Sequence, residues 1–411
     1  MIELKAFFQN EQENLRLLNL RGFDFTSLVA QIKTFYSLRK QLLIKIETLQ
    51  AGLNKHNHLP MANDLSVQTT LKNDKKALGI LKKTLKIAET DLNSLLSNLP
   101  NIPQVTVAFG KTAKDNVVVQ VSDHQRLKSS LSHWEIAIKL NWLATQEAVK
   151  ISQSRSVIYQ NQGAKLLRIL KNFMLDSHLK NNYRELVIPQ LVKENTLWGT
   201  GQFPKMKKDC YQIANQDLYL IPTAEVPLIN FYHNKILKLS ELPIKLCAYS
   251  LCFRRESGAA GKETRGIVRL HQFHKVELVQ LTTPENSNQA LEELLQDSVA
   301  LLKMLEIPYR IVELCTGDLG FSSSKTYDLE VWMPFQEKYL EIASISNTTN
   351  FQAVYLKIRF QNQHQKKSFV HTLNGSALAI DRLIACLLEH CYDAEKNIFL
   401  WPSVLKKYLV A

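Results

Sequence analysis

Two stretches of the chain repeat their apolar residues with a period close to seven. Over residues 68–99, Leu71, Leu78, Leu85, Leu92 and Leu99 fall at every seventh position, and Leu81, Ala88 and Leu95 follow three residues behind the middle three. Over residues 26–50, Leu28, Phe35, Leu42 and Leu49 hold one seam position and Ile32 and Ile46 the other, with Arg39 as the polar break. A stripe of this period is buried by packing on another helix, so two in succession predict an antiparallel helical hairpin. The connector AGLNKHNHLPMAND, with Gly52, Pro60 and several asparagines, has the composition of a turn at the hairpin tip. After it, NLPNIPQVTVAFGK (98–111) interrupts the pattern with Pro100, Pro103 and Gly110 and reads as a linker to the rest of the chain.

From about residue 130 the pattern changes. Helical stretches at 165–180 and 286–305 mix with short apolar, β-branched runs: ELVIPQLV, DLYLIPTAEVPLI, RIVEL, DLEVWMP and YLEIASIS. Strands outnumber the helices between them, and many connections are too short for a parallel crossover. The predicted class is therefore α+β, a mostly antiparallel sheet with helices packed on it. Neither GxGxxG after a strand nor GxxxxGK[ST] occurs, so Rossmann and P-loop nucleotide sites lack support.

Composition narrows this further. The 411 residues suffice for two or three domains, and a formal charge of +13 points towards a polyanionic partner. Outside its seam the second hairpin arm is basic, with Lys75, Lys76, Lys82 and Lys83 alongside Lys72 and Lys86: a solvated face, or contacts to phosphates. No run of 18 apolar residues is present, which predicts no membrane span, and the first residues lack secretory-signal features. The six cysteines form no CxxC pair or zinc-site spacing and read as reduced intracellular thiols.

The chemistry concentrates in CFRRESGAAGKETRGIVRLHQFHKVE (252–277). Arg254 and Glu256 are two apart and would share a strand face while Arg255 points away. A glycine- and alanine-rich loop comes next, and then alternation resumes at Arg269, His271, Phe273, Lys275 and Glu277. Arginine suits a phosphate or carboxylate, an aromatic ring suits a base, and a carboxylate suits an ammonium or hydroxyl group. A salt-bridged face open to water is the plainer reading. Three other segments place polar groups among apolar neighbours: Thr223 and Glu225 in LIPTAEVPL, Glu341 and Ser344 in YLEIASISN, and Asn374, Ser376 and Arg382 in HTLNGSALAIDR, where a helix is expected to begin at 374–376. Together they suggest one site drawn from four places.

These motifs, in this order, resemble the seryl-tRNA synthetases of bacterial and organellar type almost end to end. KNNYRELVIPQLV is similar to class II motif 1, FRRESGAAGKETRGIVRLHQFHKVE to motif 2 and HTLNGSALAIDR to motif 3, with WGTGQFPK and PTAEVPL as further hallmarks. The resemblance implies a tRNA-binding domain over 1–105, with a hairpin arm at about 26–99, and a class II catalytic domain over 106–411. It implies ATP-dependent activation of L-serine to seryl-adenylate and transfer to the 3′ end of tRNA(Ser), by a homodimer in the cytoplasm or, after loss of a presequence, an organelle matrix.

The residue roles it implies are specific. Arg254 would hold the ATP α-phosphate and the serine carboxylate, and Glu256 would read the adenine stacked between Phe273 and Arg382, with Arg269 in the ATP site and Arg382 also near the γ-phosphate. Glu341 and Ser344 would anchor Mg²⁺; Arg254, Arg382 and Glu341 would carry the catalytic role. Thr223, Glu277, Asn374 and Ser376 would bind serine, and Lys262 and Arg265, with the arm lysines Lys75, Lys76, Lys82 and Lys83, would meet tRNA.

The chain also departs from the pattern. Ala377 and Asp381 stand where motif 3 has glycines, and Asp381 is expected to bring a negative charge near the phosphates. Val354 and Tyr355 replace two arginines, Arg255 replaces a small residue, and EIAS replaces EISS. The rival readings are a catalytically impaired paralogue acting as an RNA-binding or partner subunit, and a paralogue that charges a carrier other than tRNA.

Overall fold

A computed structural model describes residues 1–57, 65–257, 266–362 and 365–409. The chain divides into two compact units, one of Met1–Asn19 with Phe23–Pro100 and the other of Leu20–Gly22 with Asn101–Ala411.

In the first unit, two 32-residue helices, Thr26–Asn57 and Leu65–Leu96, pack side by side. Both lie nearer the tip than the 26–50 and 68–99 assignments, because Ala51, Gly52 and Leu53 continue the helix instead of turning and Leu53 is buried. The seam follows the heptads: Ile32, Leu42, Leu78, Ala88 and Leu92 are buried, and the other seam leucines are at least half-covered. Arg39, the polar break, is answered across the seam by Glu89 at 2.9 Å. Both partners are more than a third exposed, so the pair adds register more than stability, about 0–1 kcal/mol. Lys75, Lys76, Lys82 and Lys83 are all exposed. Residues 58–64, the second half of the expected tip, lie outside the described residues.

The second unit is built on an eight-stranded sheet. Its strands in chain order are β1 (Val117–Val121), β2 (Arg184–Glu185), β3 (Ile244–Phe253), β4 (Gln272–Thr282), β5 (Tyr309–Glu313), β6 (Lys325–Met333), β7 (Lys338–Asn347) and β8 (His371–Ala379). Across the sheet they run β1-β5-β6-β7-β8-β4-β3-β2. Every pairing is antiparallel except β2 with β3. The helices Asn161–Lys180, Ser287–Met304 and Ile380–Cys391 bury their apolar stripes in one large core with residues of the sheet. Asn101–Gly110, read from sequence as a linker, is bound into this unit: Asn101 donates its backbone N–H to Phe321 O and its side chain to Ser322 O and Thr348 O.

Two segments differ from expectation in ways that shape the cavity. PTAEVPL forms a short helix, Glu225–Asn230, because Thr223 Oγ1 accepts the Glu225 N–H and starts the turn. HTLNGSALA is strand β8, and the helix begins only at Ile380; alternation at Asn374 and Ser376 holds the segment in register with β4 until the ladder ends at Ala379 opposite Lys275.

Candidate active site

Between the central strands and the loop entering β4 lies a cavity of about 230 Å³. It gathers residues that the sequence spreads widely: Thr223; Arg254 and Glu256; Arg269, Phe273 and Glu277; Glu341 and Ser344; Asn374, Ser376 and Arg382 all line it. Lys262 and Arg265 lie outside the described residues. The four arm lysines belong to the other compact unit.

Two irregularities in the ladders bring this about. In a regular strand Glu341 and Ser344, three apart, would face opposite sides of the sheet. The β6–β7 register shifts between Glu341 and Ala343, and the extra residue returns Ser344 to the cavity side. A second shift, between Ser376 and Leu378, keeps Leu378 in the core beside the fully buried Ala377 and returns Ala379 to the cavity side with Ser376. Ala377 therefore touches the apolar core and not the site.

The arginine end is held by backbone. β3 ends at Phe253, so Arg254 and Glu256 do not sit on a strand as alternation predicts. Arg254 donates its N–H to His271 O at 2.9 Å and its Nε to Pro222 O at 3.3 Å, and its guanidinium rests 5.3 Å from the centroid of Phe273. Glu256 adopts a φ of 53°, which re-aims its carboxylate towards Arg269 Nη1 at 3.3 Å. Arg269 precedes β4 and lies in the loop 266–271. Gly266 starts that loop at φ 80°, and a Cβ there would lie 2.0 Å from His133 Nε2. Arg382 closes the opposite wall, donating to Val268 O at 3.2 Å and to Glu341 O at 2.7 Å.

The acidic end is buried. Glu277 is 1% exposed and forms an ion pair with Lys275, which also donates to Thr223 Oγ1 at 2.9 Å. Glu225 accepts from Gln352 Nε2 at 2.6 Å and Gln202 Nε2 at 3.1 Å. Burial, and then the negative charge of Glu277, push its carboxyl up to about 7. Sequence reasoning singles out Glu225 and Lys275 without giving either a role. The signal is there: Lys275 shares the alternating face with Phe273 and Glu277, and Glu225 lies two residues beyond Thr223. Gln352 lies beyond its reach, since nothing local marks a glutamine in a short helix as a partner for a carboxylate 127 residues away.

On the neighbouring strand, Asp328 lies opposite Ser344, and its carboxyl is raised chiefly by burial and next by the charge of Glu341. Asp381, expected near the phosphates, is 2% exposed, with its oxygens held by Tyr159 and His274. Asp381 nonetheless lines the cavity beside Arg382, as its position in the sequence predicts. Tyr355, in place of an arginine, donates to Asn195 Oδ1 at 2.6 Å; Val354 is half-buried on the same short helix.

Residues 209–391 match the tRNA synthetase class II core domain (G, H, P, S and T). The chain is 42% identical to the serine–tRNA ligase of Mesoplasma florum over 99% of its own length and 98% of the relative's. It is 41% identical to the serine–tRNA ligase of Campylobacter jejuni, covering 99% and 100% respectively. The chain belongs to the seryl-tRNA synthetase family. A crystal structure of the seryl-tRNA synthetase from Pyrococcus horikoshii, complexed with ATP, superposes with a TM-score of 0.90 at 32% identity, covering 100% of this chain and 98% of that one. The fold is thus a class II synthetase core preceded by a helical hairpin. Among the described residues no helix of this family member is long and apolar enough to cross a membrane.

Proposed function

We propose that the cavity activates L-serine with ATP and passes the seryl group to the 3′ end of tRNA(Ser), the activity named for the chain's relatives. The observation that carries the reading is the cavity's polarity. Buried carboxylates of Glu225 and Glu277 line it together with the Arg254 guanidinium, the two kinds of charge that an amino acid's ammonium and carboxylate require. Ser376 stands opposite Glu277 in the ladder, so the serine hydroxyl would meet a donor–acceptor pair. Alanine would leave those buried groups unpaired and be rejected.

In this reading the serine carboxylate attacks the ATP α-phosphorus, and the bond to the leaving pyrophosphate breaks in line. Arg254 holds both reacting anions and stabilises the charge that develops on the phosphoryl oxygens. Phe273 and Arg382 stack on the adenine while Glu256 and Arg269 flank it. No side chain acts as nucleophile, and the rate comes from positioning and charge. The tRNA terminal hydroxyl then attacks the serine carbonyl carbon, AMP leaves, and the hydroxyl proton departs with the phosphate. Lys262 and Arg265 are assigned to the acceptor end, and the exposed arm lysines to the tRNA backbone.

Glu341, Ser344 and Asp328 form an all-oxygen set in which burial and then Glu341 raise the Asp328 carboxyl, and such a set of oxygen donors fits Mg²⁺. Glu341 and Ser344 would hold the ion, which supplies charge neutralisation for the phosphates when bound. The homodimer reading rests on the short edge strand β2 and on Val187, 98% exposed, and Phe231, 49% exposed, beside it. The reading places the enzyme in the cytoplasm, in line with its bacterial relatives. Serine-dependent ATP–pyrophosphate exchange tests the reaction. Exchange with serine and not alanine is expected, and its absence in the wild-type protein overturns the reading in favour of a catalytically impaired subunit.

A further inference from the structure

The residue after Phe273 and the residue before Arg382 are joined to each other. Asp381 Oδ2 accepts the backbone N–H of His274 at 2.6 Å, and Asp381 Oδ1 lies 3.1 Å from His274 Nδ1. Tyr159 donates its hydroxyl to the same Oδ1 at 2.5 Å. The His274 ring is stacked on Tyr249, with 17° between the planes, and meets Tyr159 edge-on. Asp381 lines the cavity, but its carboxylate is 2% exposed and each of its oxygens has a partner, so this is a buried network and not a surface contact.

Its position in the ladder gives it a mechanical meaning. The β4–β8 pairing ends at Ala379 opposite Lys275. One residue further out, the β8 chain has turned into the Ile380–Cys391 helix and offers no strand carbonyl to His274. Asp381, in the first turn of that helix, supplies the missing acceptor from its side chain, where the helix dipole also favours an anion. The bond therefore fixes the first helical turn against the start of β4. Both adenine-stacking groups sit on these two pieces of backbone, each one residue from the bond.

We propose that Asp381, His274 and Tyr159 form a positioning clasp that sets the gap between Phe273 and Arg382, and so the affinity for the adenine base. The inference rests on the reading of those two side chains as the stacking pair. It makes Asp381 a positioning residue that does not touch the phosphates, and it predicts an effect on ATP without one on serine.

The test uses the full-length protein and the conservative variants Asp381→Asn, His274→Phe and Tyr159→Phe. Serine-dependent pyrophosphate exchange gives KM for ATP and for serine, and a direct ATP titration without serine gives Kd. The expected result is a rise of about tenfold in KM and Kd for ATP in Asp381→Asn, and a smaller rise in His274→Phe, which loses the ring contact but keeps the backbone N–H bond to Asp381. KM for serine stays within about twofold, and Tyr159→Phe has a smaller effect. The Asp381→Asn/His274→Phe double variant should be no worse than the poorer single, because both break one unit. A merely structural role would lower kcat and thermal stability and leave both KM values unchanged, and that outcome overturns the clasp. So does a parallel rise in both KM values, or an additive double variant. Should Asp381→Asn fail to fold, Tyr159→Phe and His274→Phe decide alone: a rise in the ATP Kd in both, with KM for serine unchanged, supports the clasp, and no change in either overturns it. If the wild-type protein binds ATP and supports no exchange, the serine-activation reading falls, and the clasp is then judged on the ATP Kd ratios.

Discussion

Replacing Glu225 by Gln should stabilise the protein and weaken its substrate binding, with both effects governed by pH. The carboxyl is 5% exposed and is raised from an ordinary 4.5 to about 7 by burial, with Glu277 adding repulsion. Below pH 4.5 both folded and unfolded chains carry the proton, so folding costs nothing extra at this site. Between 4.5 and 7 the unfolded chain releases it while the native state keeps it, and stability falls as pH rises. Above 7 the cost is complete, about 3 kcal/mol at about 1.4 kcal/mol per pH unit. The amide of Glu225→Gln does not titrate. The gain of the variant over wild type in urea unfolding of the catalytic unit should therefore be larger at about pH 8 than at about pH 5, by about 2.5 kcal/mol. Binding moves the other way. A serine ammonium favours the ionised carboxylate, so wild-type kcat/KM for serine should climb with pH up to about 7 and then level. The variant should lack that limb and raise KM for serine roughly ten- to a hundredfold, the worth of one charged hydrogen bond. Equal stabilisation at the two pH values, or a limb that survives in the variant, refutes the assignment of the titration to Glu225.

Arg254→Ala should reduce serine-dependent exchange by at least about a thousandfold, since the charge it meets grows in the transition state; retained exchange would remove it from the reacting centre. Reversing the charge of Lys75, Lys76, Lys82 and Lys83 should raise KM for tRNA in aminoacylation and spare exchange, and an equal fall in exchange would show that these lysines act through folding. Gly266→Ala should cost roughly 2–4 kcal/mol, from a left-handed φ and a Cβ against His133, and lower the apparent melting temperature. The proposed homodimer predicts a dimer mass for the wild-type protein in sedimentation and a monomer mass for Val187→Glu; a wild-type monomer overturns the dimer, and an unchanged variant mass moves its interface elsewhere.

Periodic features of the chain are legible without coordinates, and features made by distant partners are not. The hairpin follows from heptads alone, because a seam repeats locally what it buries globally. Phe273, Lys275 and Glu277 likewise follow from alternation along β4. The segment Asn374–Ser376 reads as a helix start because Asn, Gly and Ser resemble a cap, and only pairing with β4 overrides that preference. The two ladder shifts that bring Ser344 and Ala379 to the cavity depend on neighbouring strands, so no property of LEIAS or GSALA announces them. The same holds for Asp381. Its position next to Arg382 suggests a charge facing phosphate, whereas Tyr159 and His274, far away in sequence, hold its oxygens.

The ion pair of Lys275 with Glu277 has a consequence for what the enzyme refuses. Lys275 and Arg254 contribute two positive charges to the walls, and ionised Glu225 and Glu277 contribute two negative ones. Those four formal charges cancel one another before anything enters, once Glu225 is ionised above about pH 7. An amino acid zwitterion leaves that neutrality intact. Ethanolamine, which has serine's amine and hydroxyl but no carboxylate, would add an uncancelled cation. Glycerate, with the hydroxyl and carboxylate but no amine, would add an uncancelled anion. Either mismatch in a site this dry costs several kcal/mol, so exclusion of serine's metabolic look-alikes is written into the balance of the walls before any hydrogen bond to the hydroxyl is made.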